Sequence, residues 1–380
     1  MAFTAQLATP PVGPFGVVPF SETLAMPSIL DSTLRSVAIG AVVTLLVSLA
    51  CIRWLAPLGW IDHPDPRKHH RTPTARTAGV ALWLVLIGLQ VLGRGSLPLD
   101  RVEWSVVHAM ALVGLLDDRF DLRSRHKALL GLGFALVLAL DMSPELSLFT
   151  DQVSFLGLTL PDHPLVTVPL LTLWFWAIPQ AFNLIDGLNG LSMGFSLVLL
   201  AVLGLVMGHA PSGGYLWGGL VSLLLLNYPR ARHFLGDCGS LLLGTLFAIL
   251  AAKAFAVRDA NLMLWVFAYP AVDVSLVVAV RRWKGVPLGI ADRSHLHHFL
   301  VDRLGPRRVW LVPLVLLALA LLPMTRALQF PGHHAASLAG LVGLVALALR
   351  AFRDRVDPEK VTPLRSLKEV QETSGSNEVA

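Results

Sequence analysis

Four short runs in this 380-residue chain carry residues whose types and spacing suit chemistry. The first, GLLDDRFDLRSRHK, holds Asp117, Asp118 and Asp121. On a continuous helix Asp121 would share a face with the two earlier acids, at spacings of four and three. Carboxylates that close raise one another's pKa or recruit a cation. Magnesium suits them, since it takes oxygen ligands from one or two carboxylates plus substrate phosphates. A solvated loop neutralised by Arg119, Arg123 and Arg125 is the structural alternative.

The second run, NLIDGLNG, places Asn183, Asp186 and Asn189 among Gly187, Leu188 and Gly190. Asp186 is the only acid between Asp162 and Asp237, with no basic neighbour, which points to a ligand; a helix-linking turn explains the Asn and Gly residues equally. The third run, Phe234-Leu235-Gly236-Asp237-Cys238-Gly239-Ser240, leads straight into an apolar stretch. Asp237 there is either a helix N-terminal acid, worth about 0.3–1 kcal/mol, or a metal ligand, and Phe234 either stacks on a base or packs. The fourth run, Asp292-Arg293-Ser294-His295-Leu296-His297-His298, puts His295 and His298 on one helical face beside His297. Zinc would use such a pair, but no cysteine joins it, and the surrounding arginines favour an anion-binding loop. Asp273, inside an apolar stretch, either pairs with Arg281 or Arg282 or joins the site.

The elements that carry these runs follow from composition. Apolar residues make up 54% of the chain and charged residues 14%, with a mean hydropathy of +0.66. Soluble domains carry about 25% charged residues, so a water-soluble enzyme is excluded. The net charge is +5, yet no Lys or Arg lies between Lys127 and Arg230. That interruption argues against a nucleic-acid groove. Two cysteines, Cys51 and Cys238, are too few for a disulfide framework, and the start of the chain lacks the basic n-region of a cleavable leader.

Apolar windows fall near 34–58, 78–93, 103–116, 127–141, 166–182, 190–208, 214–228, 239–256, 261–280, 309–328 and 333–350, with 78–93 and 103–116 the shortest. The expected fold is an all-α polytopic membrane protein of about eleven transmembrane helices over 34–350. It is preceded by a Pro-rich extracytoplasmic segment (1–33) and followed by a disordered cytoplasmic tail (351–380). Residues 143–165 read as an extra-membrane loop with a hairpin. If loops alternate sides, one side collects 23 of the 30 Lys and Arg, which makes it cytoplasmic. All four polar runs land on that side, so a single cytoplasmic-face active site is expected.

Taken together the four runs resemble the polyprenyl-phosphate N-acetylhexosamine-1-phosphate transferases, over about residues 59–299. A fifth stretch adds to the likeness: Gly59-Trp60-Ile61-Asp62, Pro64, Arg67-Lys68, His70, Pro73 and Arg76-Thr77-Ala78-Gly79 match the family's D-x-P-x-x-R-K-x-H … P-x-R-x-G-G run. Ala78 stands where the family usually has Gly, and Asn189 where many bacterial members have Asp. The Arg-centred ending and the His-Leu-His-His order favour the glycan-initiating branch over the phospho-MurNAc-pentapeptide translocases.

The resemblance implies transfer of N-acetylhexosamine 1-phosphate, by default GlcNAc-1-phosphate, from a UDP-sugar to undecaprenyl phosphate in the inner membrane. It implies magnesium as the cofactor, with manganese a substitute. It implies Asp117, Asp118 and Asp237 as catalytic residues and Asn183 with Asp237 as metal ligands. Gly187, Leu188, Asn189 and Phe234 would form the uridine pocket, and Arg293, His295, His297 and His298 the loop over diphosphate and sugar. Lys68, Asp121 and Asp186 are further candidates. The partners are then the UDP-sugar, the lipid phosphate, the bilayer and, in some relatives, a second copy of the chain, with no nucleic acid. The translocase reaction and a cation-coupled transporter are the competing functions.

Overall fold

The computed structural model describes residues 26–64, 72–94, 97–147, 154–155, 158–159, 163–207, 213–257, 265–287, 293–329 and 331–356. Among these are twelve α-helices: α1 (Met26–Trp54), α2 (Ala78–Val91), α3 (Arg101–Phe120), α4 (Ser124–Ser147), α5 (Pro164–Ile185), α6 (Leu191–Met207), α7 (Gly214–Asn227), α8 (Gly236–Val257), α9 (Ala268–Lys284), α10 (Leu296–Leu304), α11 (Leu311–Leu328) and α12 (His333–Val356). Each expected apolar window contains a described helix, and one further helix, the short α10, carries the histidine run. The protein is a multi-pass membrane protein in which six of the described helices, α1, α4, α5, α8, α11 and α12, are long and apolar enough to cross a bilayer. The expectation of about eleven crossings is too simple in its lengths. Helix α2, with 14 residues, is about 21 Å long, shorter than the roughly 30 Å hydrocarbon core.

Three boundaries differ from expectation. Helix α1 starts at Met26 and so takes in the end of the 1–33 segment, because Pro27 sits in its first turn, where a missing N–H costs nothing. Helix α4 runs through Pro144 to Ser147, beyond the expected loop start at 143. The hairpin itself is present, with β3 (Ser154–Phe155) antiparallel to β4 (Leu158–Thr159). Helix α12 continues to Val356; the rest of the tail, 357–380, lies outside the described residues, as does 1–25.

Helix α8 is the axis of the bundle. Its spanning window is 89% buried, against 22–39% for the other five. Leu241, Leu242, Leu243, Leu246, Phe247 and Ile249 are all fully enclosed, by α2, α3, α5 and α6. Phe182 of α5 stacks on Phe247 at 5.6 Å. Small residues set the approach: a Cβ on Gly79 of α2 would lie 2.1 Å from the Gly239 nitrogen, and one on Gly114 of α3 would lie 2.2 Å from the Asp237 carbonyl oxygen. The outer helices instead expose Leu46, Leu136, Leu140, Leu173 and Leu349, an apolar belt whose solvent is lipid.

The α1–α2 loop is stitched across the end of α8. Strand β1 (Ile61–Asp62) pairs antiparallel with β2 (Thr74–Ala75), in register Ile61 with Ala75 and Asp62 with Thr74. Ala75 bridges His233, and the first N–H groups of α2, from Ala78 and Gly79, donate to the carbonyls of Phe234 and Leu235 at 3.1 and 3.0 Å. Helix N-termini leave such donors unpaired; here the loop before α8 takes them up. The ends of α2 and α8 are thereby locked side by side.

Candidate active site

Helix α3 ends at Phe120 because Asp121 turns left-handed, with φ 50°, as its C-cap. Asp residues tolerate that conformation better than most. Asp121 therefore leaves the helical face it was expected to share with Asp117 and Asp118, and it is solvent-exposed. The other two acids also part company. Asp118 is buried and faces α8: its Oδ1 accepts from the Asp237 N–H and its Oδ2 from the Cys238 N–H, both at 2.9 Å. It caps the positive end of α8 from another helix. Asp117 accepts from the Leu122 N–H at 2.9 Å and from Lys127 Nζ at 2.9 Å.

Lys127 Nζ also donates to the Asp237 carboxylate. One ammonium thus sits between the acids of two distant runs. In the sequence Lys127 stands out only as the edge of the stretch free of Lys and Arg. The available signal was its position as the last basic residue before the 102-residue stretch free of Lys and Arg, ten residues after Asp117. Asn183 donates to Ser240 Oγ at 3.0 Å and its amide also donates to the Asp237 carboxylate, so it steadies the first turn of α8.

A cavity of about 720 Å³ opens at this end of the bundle. Asp118, Asp186, Gly187, Leu188, Asn189, Phe234, Asp237, Arg293 and His298 line it, together with Asp62, Arg76 and Arg230. Its size falls within the range of small-ligand sites. Asp117, Asn183, His295, His297 and Asp121 do not form its surface, and Lys68 lies outside the described residues. Asp62 and Arg76, which belong to the fifth run, form an ion pair on the cavity wall. They were quoted there but not singled out as site residues.

Asn227 was missed altogether. Buried at the end of α7, it accepts from the Gly190 N–H at 2.6 Å and donates to the His233 carbonyl at 2.9 Å. It clasps the 187–190 turn to the loop before α8, and Asn189 reinforces this by donating to the Pro229 carbonyl at 3.1 Å. A lone amide at the end of an apolar run was its signal.

The histidines divide in a way their spacing did not predict. His295 is the extended N-cap of α10, not a helical residue, so it does not share a face with His298. Its Nδ1 lies 2.8 Å from Asp273 Oδ2, while the Leu296 N–H donates to Asp273 Oδ1 at 2.7 Å. His297 is 1% exposed and packs under Gly187, where a Cβ would lie 2.5 Å from its Nε2. Only His298 of the three reaches the cavity, beside Arg293, which is held by Asp302 at 2.9 Å.

The electrostatics of the cavity favour a cation. Desolvation, with the nearby charges of Asp237 and Asp118, pushes the Asp186 carboxyl up to about 8, although Ser192 donates to it at 2.5 Å. Three acids are crowded there, and a divalent cation would relieve them. The donors on the cavity surface are hard oxygens, from Asp237 and Asp186, which fits magnesium or manganese better than zinc. His233 behind the wall is driven down to about 4 by burial and stays neutral.

Residues 102–254 match the model of glycosyl transferase family 4. The chain is 28% identical over 291 residues, 72% of its length and 79% of the relative's, to a protein of Bacillus subtilis (strain 168) described as a probable undecaprenyl-phosphate N-acetylglucosaminyl 1-phosphate transferase. It is equally 28% identical over 285 residues (70% and 76%) to the undecaprenyl-phosphate alpha-N-acetylglucosaminyl 1-phosphate transferase of Yersinia pestis. Over 368 residues (81% and 87%) it is 28% identical to the decaprenyl-phosphate N-acetylglucosaminephosphotransferase of Mycobacterium tuberculosis (strain CDC 1551 / Oshkosh). The segment that resembles glycosyl transferase family 4 runs from the first turn of α3 to the last turns of α8, the two helices that carry Asp117, Asp118 and Asp237.

Proposed function

We propose that the protein transfers N-acetylhexosamine 1-phosphate, by default GlcNAc-1-phosphate, from a UDP-sugar to undecaprenyl phosphate, releasing UMP, as the first membrane step of a cell-envelope glycan. One observation carries the reading: a single cavity at the end of a membrane bundle pairs the acids Asp118, Asp186 and Asp237 with the cations Arg76, Arg230 and Arg293. Acids alone would suit a cation pathway. Acids facing arginines suit a metal-bound diphosphate. Transporter sites tend to lie near the midplane, whereas this one is built from helix ends and loops. The basic bias of the loops on its side makes that side cytoplasmic, where sugar nucleotides are made.

Within the site, Asp237 and Asp186 would hold Mg2+, with the Asn183 amide bracing Asp237 from behind, and the ion when bound supplies charge neutralisation at the diphosphate. Phe234 and the Gly187–Asn189 turn would take the uridine, by ring stacking and close backbone approach. Arg293 and His298 face the cavity where the sugar diphosphate would lie. An oxygen of the lipid phosphate attacks the β-phosphorus of the UDP-sugar; the bond from that phosphorus to the bridging oxygen breaks, and UMP leaves with the electron pair. A phosphate monoester is largely dianionic at pH 7, so little general-base work is needed. Asp117 and Lys127 act by positioning: the ammonium holds Asp237 and draws an incoming phosphate toward it.

The test is UMP release by purified enzyme from a panel of UDP-GlcNAc, UDP-GalNAc and UDP-MurNAc-pentapeptide, with and without undecaprenyl phosphate and Mg2+. Release from an amino-sugar donor only when lipid phosphate and Mg2+ are both present is the expected result. Release only from the MurNAc-pentapeptide donor would move the protein to the translocase reaction, and no release from any donor would end the proposal.

A further inference from the structure

Asp273 is fully buried on α9, away from the cavity surface, yet both of its oxygens are used. One takes the Leu296 N–H, the first of α10; the other takes the His295 ring. The His295 ring in turn stacks on His297, with centroids 5.2 Å apart and planes 16° apart. His297 fills the space beneath Gly187 so closely that no side chain fits there. A continuous column therefore runs Asp273–His295–His297–Gly187, from the middle of the bundle to the turn that lines the cavity.

We infer that Asp273 is a positioning residue for the nucleotide-sugar site: through His295 and His297 it sets where the Gly187–Asn189 turn stands. The inference rests on the proposed function for what binds against that turn, and on packing alone for the column itself. A carboxylate that receives Nδ1–H fixes the imidazole in one tautomer and one ring orientation. Cores transmit such a constraint because they are close-packed. Asparagine keeps one acceptor oxygen, so Asp273→Asn can hold the Leu296 N–H only by turning its N–H2 toward His295, where a ring bearing Nδ1–H finds no acceptor. His295 then loses its anchor and the turn above His297 loosens, while the lipid-phosphate side of the cavity, formed by other elements, is untouched.

The experiment uses the full chain in nanodiscs. For Asp273→Asn the KM for UDP-GlcNAc is expected to rise about tenfold or more, the scale on which removing a carboxylate behind a functional histidine acts, with the KM for undecaprenyl phosphate unchanged. A variant with both KM values unaltered, or with a loss confined to kcat, overturns the inference. A second measurement needs no activity. Gly187→Ala is expected to lower the melting temperature by collision with His297, and Gly187→Ala with His297→Ala is expected to recover it; a single variant as stable as the parent removes the column. Nitrogen NMR of labelled histidine should show a hydrogen-bonded Nδ1–H for His295 that Asp273→Asn abolishes. Should the parent protein not turn over any UDP-sugar, the functional reading falls while these two measurements still decide the column.

Discussion

Asp118 Oδ1 accepts a hydrogen bond of 2.9 Å from the backbone N–H of Asp237, a residue 119 positions later in the chain. One candidate acid thus holds another in place through the main chain. Asp118 also takes the Cys238 N–H, so the first turn of the central helix hangs on a single carboxylate. Asp118→Asn keeps one acceptor and sets an amide N–H2 against a backbone donor. Leaving a buried donor unpaired costs about 1–3 kcal/mol, and the misplaced Asp237 should lower UMP release at least a hundredfold. Thermal unfolding and UMP assay on one preparation check both halves. A variant with normal stability and no turnover would reassign Asp118 to direct chemistry.

Among the described residues, Lys127 is the one cation bonded to both the Asp117 and the Asp237 carboxylates. Lys127→Met removes the charge but keeps the length, and leaves two acids facing each other at low polarity. Turnover should fall at least a hundredfold, and Lys127→Arg should restore part of it because the charge returns with different geometry. Equal activity in Lys127→Met would show that the bridge is dispensable.

Hydropathy made the helices legible, since each apolar window needs only local composition to be read. Loop alternation similarly made it legible that Asp118, Asp186, Asp237 and His298 meet. What spacing could not convey was orientation at the helix ends. Asp121 departs from the shared face because one residue turns left-handed, a choice made by the end of α3 rather than by the 3.6 period. His295 and His297 turn inward because Asp273, 22 residues away from His295, offers a buried acceptor that the motif itself does not contain. Lys127 looked like an ordinary flank, since its two partners lie 10 and 110 residues distant. Tertiary contacts decided each of these, and a single sequence does not print them.

The raised Asp186 carboxyl sets a pH dependence whose sign follows from linkage. With its folded value near 8 against an ordinary value of 3.8, the folded protein binds this proton more tightly than the unfolded chain. Its stabilising contribution is complete below about 4 and is lost as pH rises through 8. A divalent cation competes with the same proton, so Mg2+ binding should release a proton at pH 7. Apparent Mg2+ affinity should then climb by up to about tenfold per pH unit until 8. Asp186→Asn should flatten that climb. Calorimetry in two buffers of different ionisation enthalpy measures the released proton; a pH-independent Mg2+ affinity in the parent protein would contradict the assignment.

Gly114 lies one helical turn before Asp118, on the same side of α3, and touches the Asp237 carbonyl so closely that an added Cβ would stand 2.2 Å away. Backbone, not a flexible side chain, is what it would strike. Gly114→Ala must therefore push α3 and α8 apart, and the first contact stretched is the Asp118 cap a turn further on. Overpacking of this kind costs about 1–3 kcal/mol, even though Ala is by itself the better helix former by about 1 kcal/mol. The comparison that isolates the effect is Gly88→Ala in α2, where an added Cβ meets nothing within 4 Å. Gly88→Ala should leave the melting temperature level or higher and UMP release intact. Gly114→Ala should lower both, and it should fail in the same manner as Asp118→Asn, with the double variant little worse than either single one, because both act on the same helix start. Additive losses in the double variant would mean that the glycine and the carboxylate serve separate purposes, and that the approach of α3 to α8 is not what sets the position of Asp237.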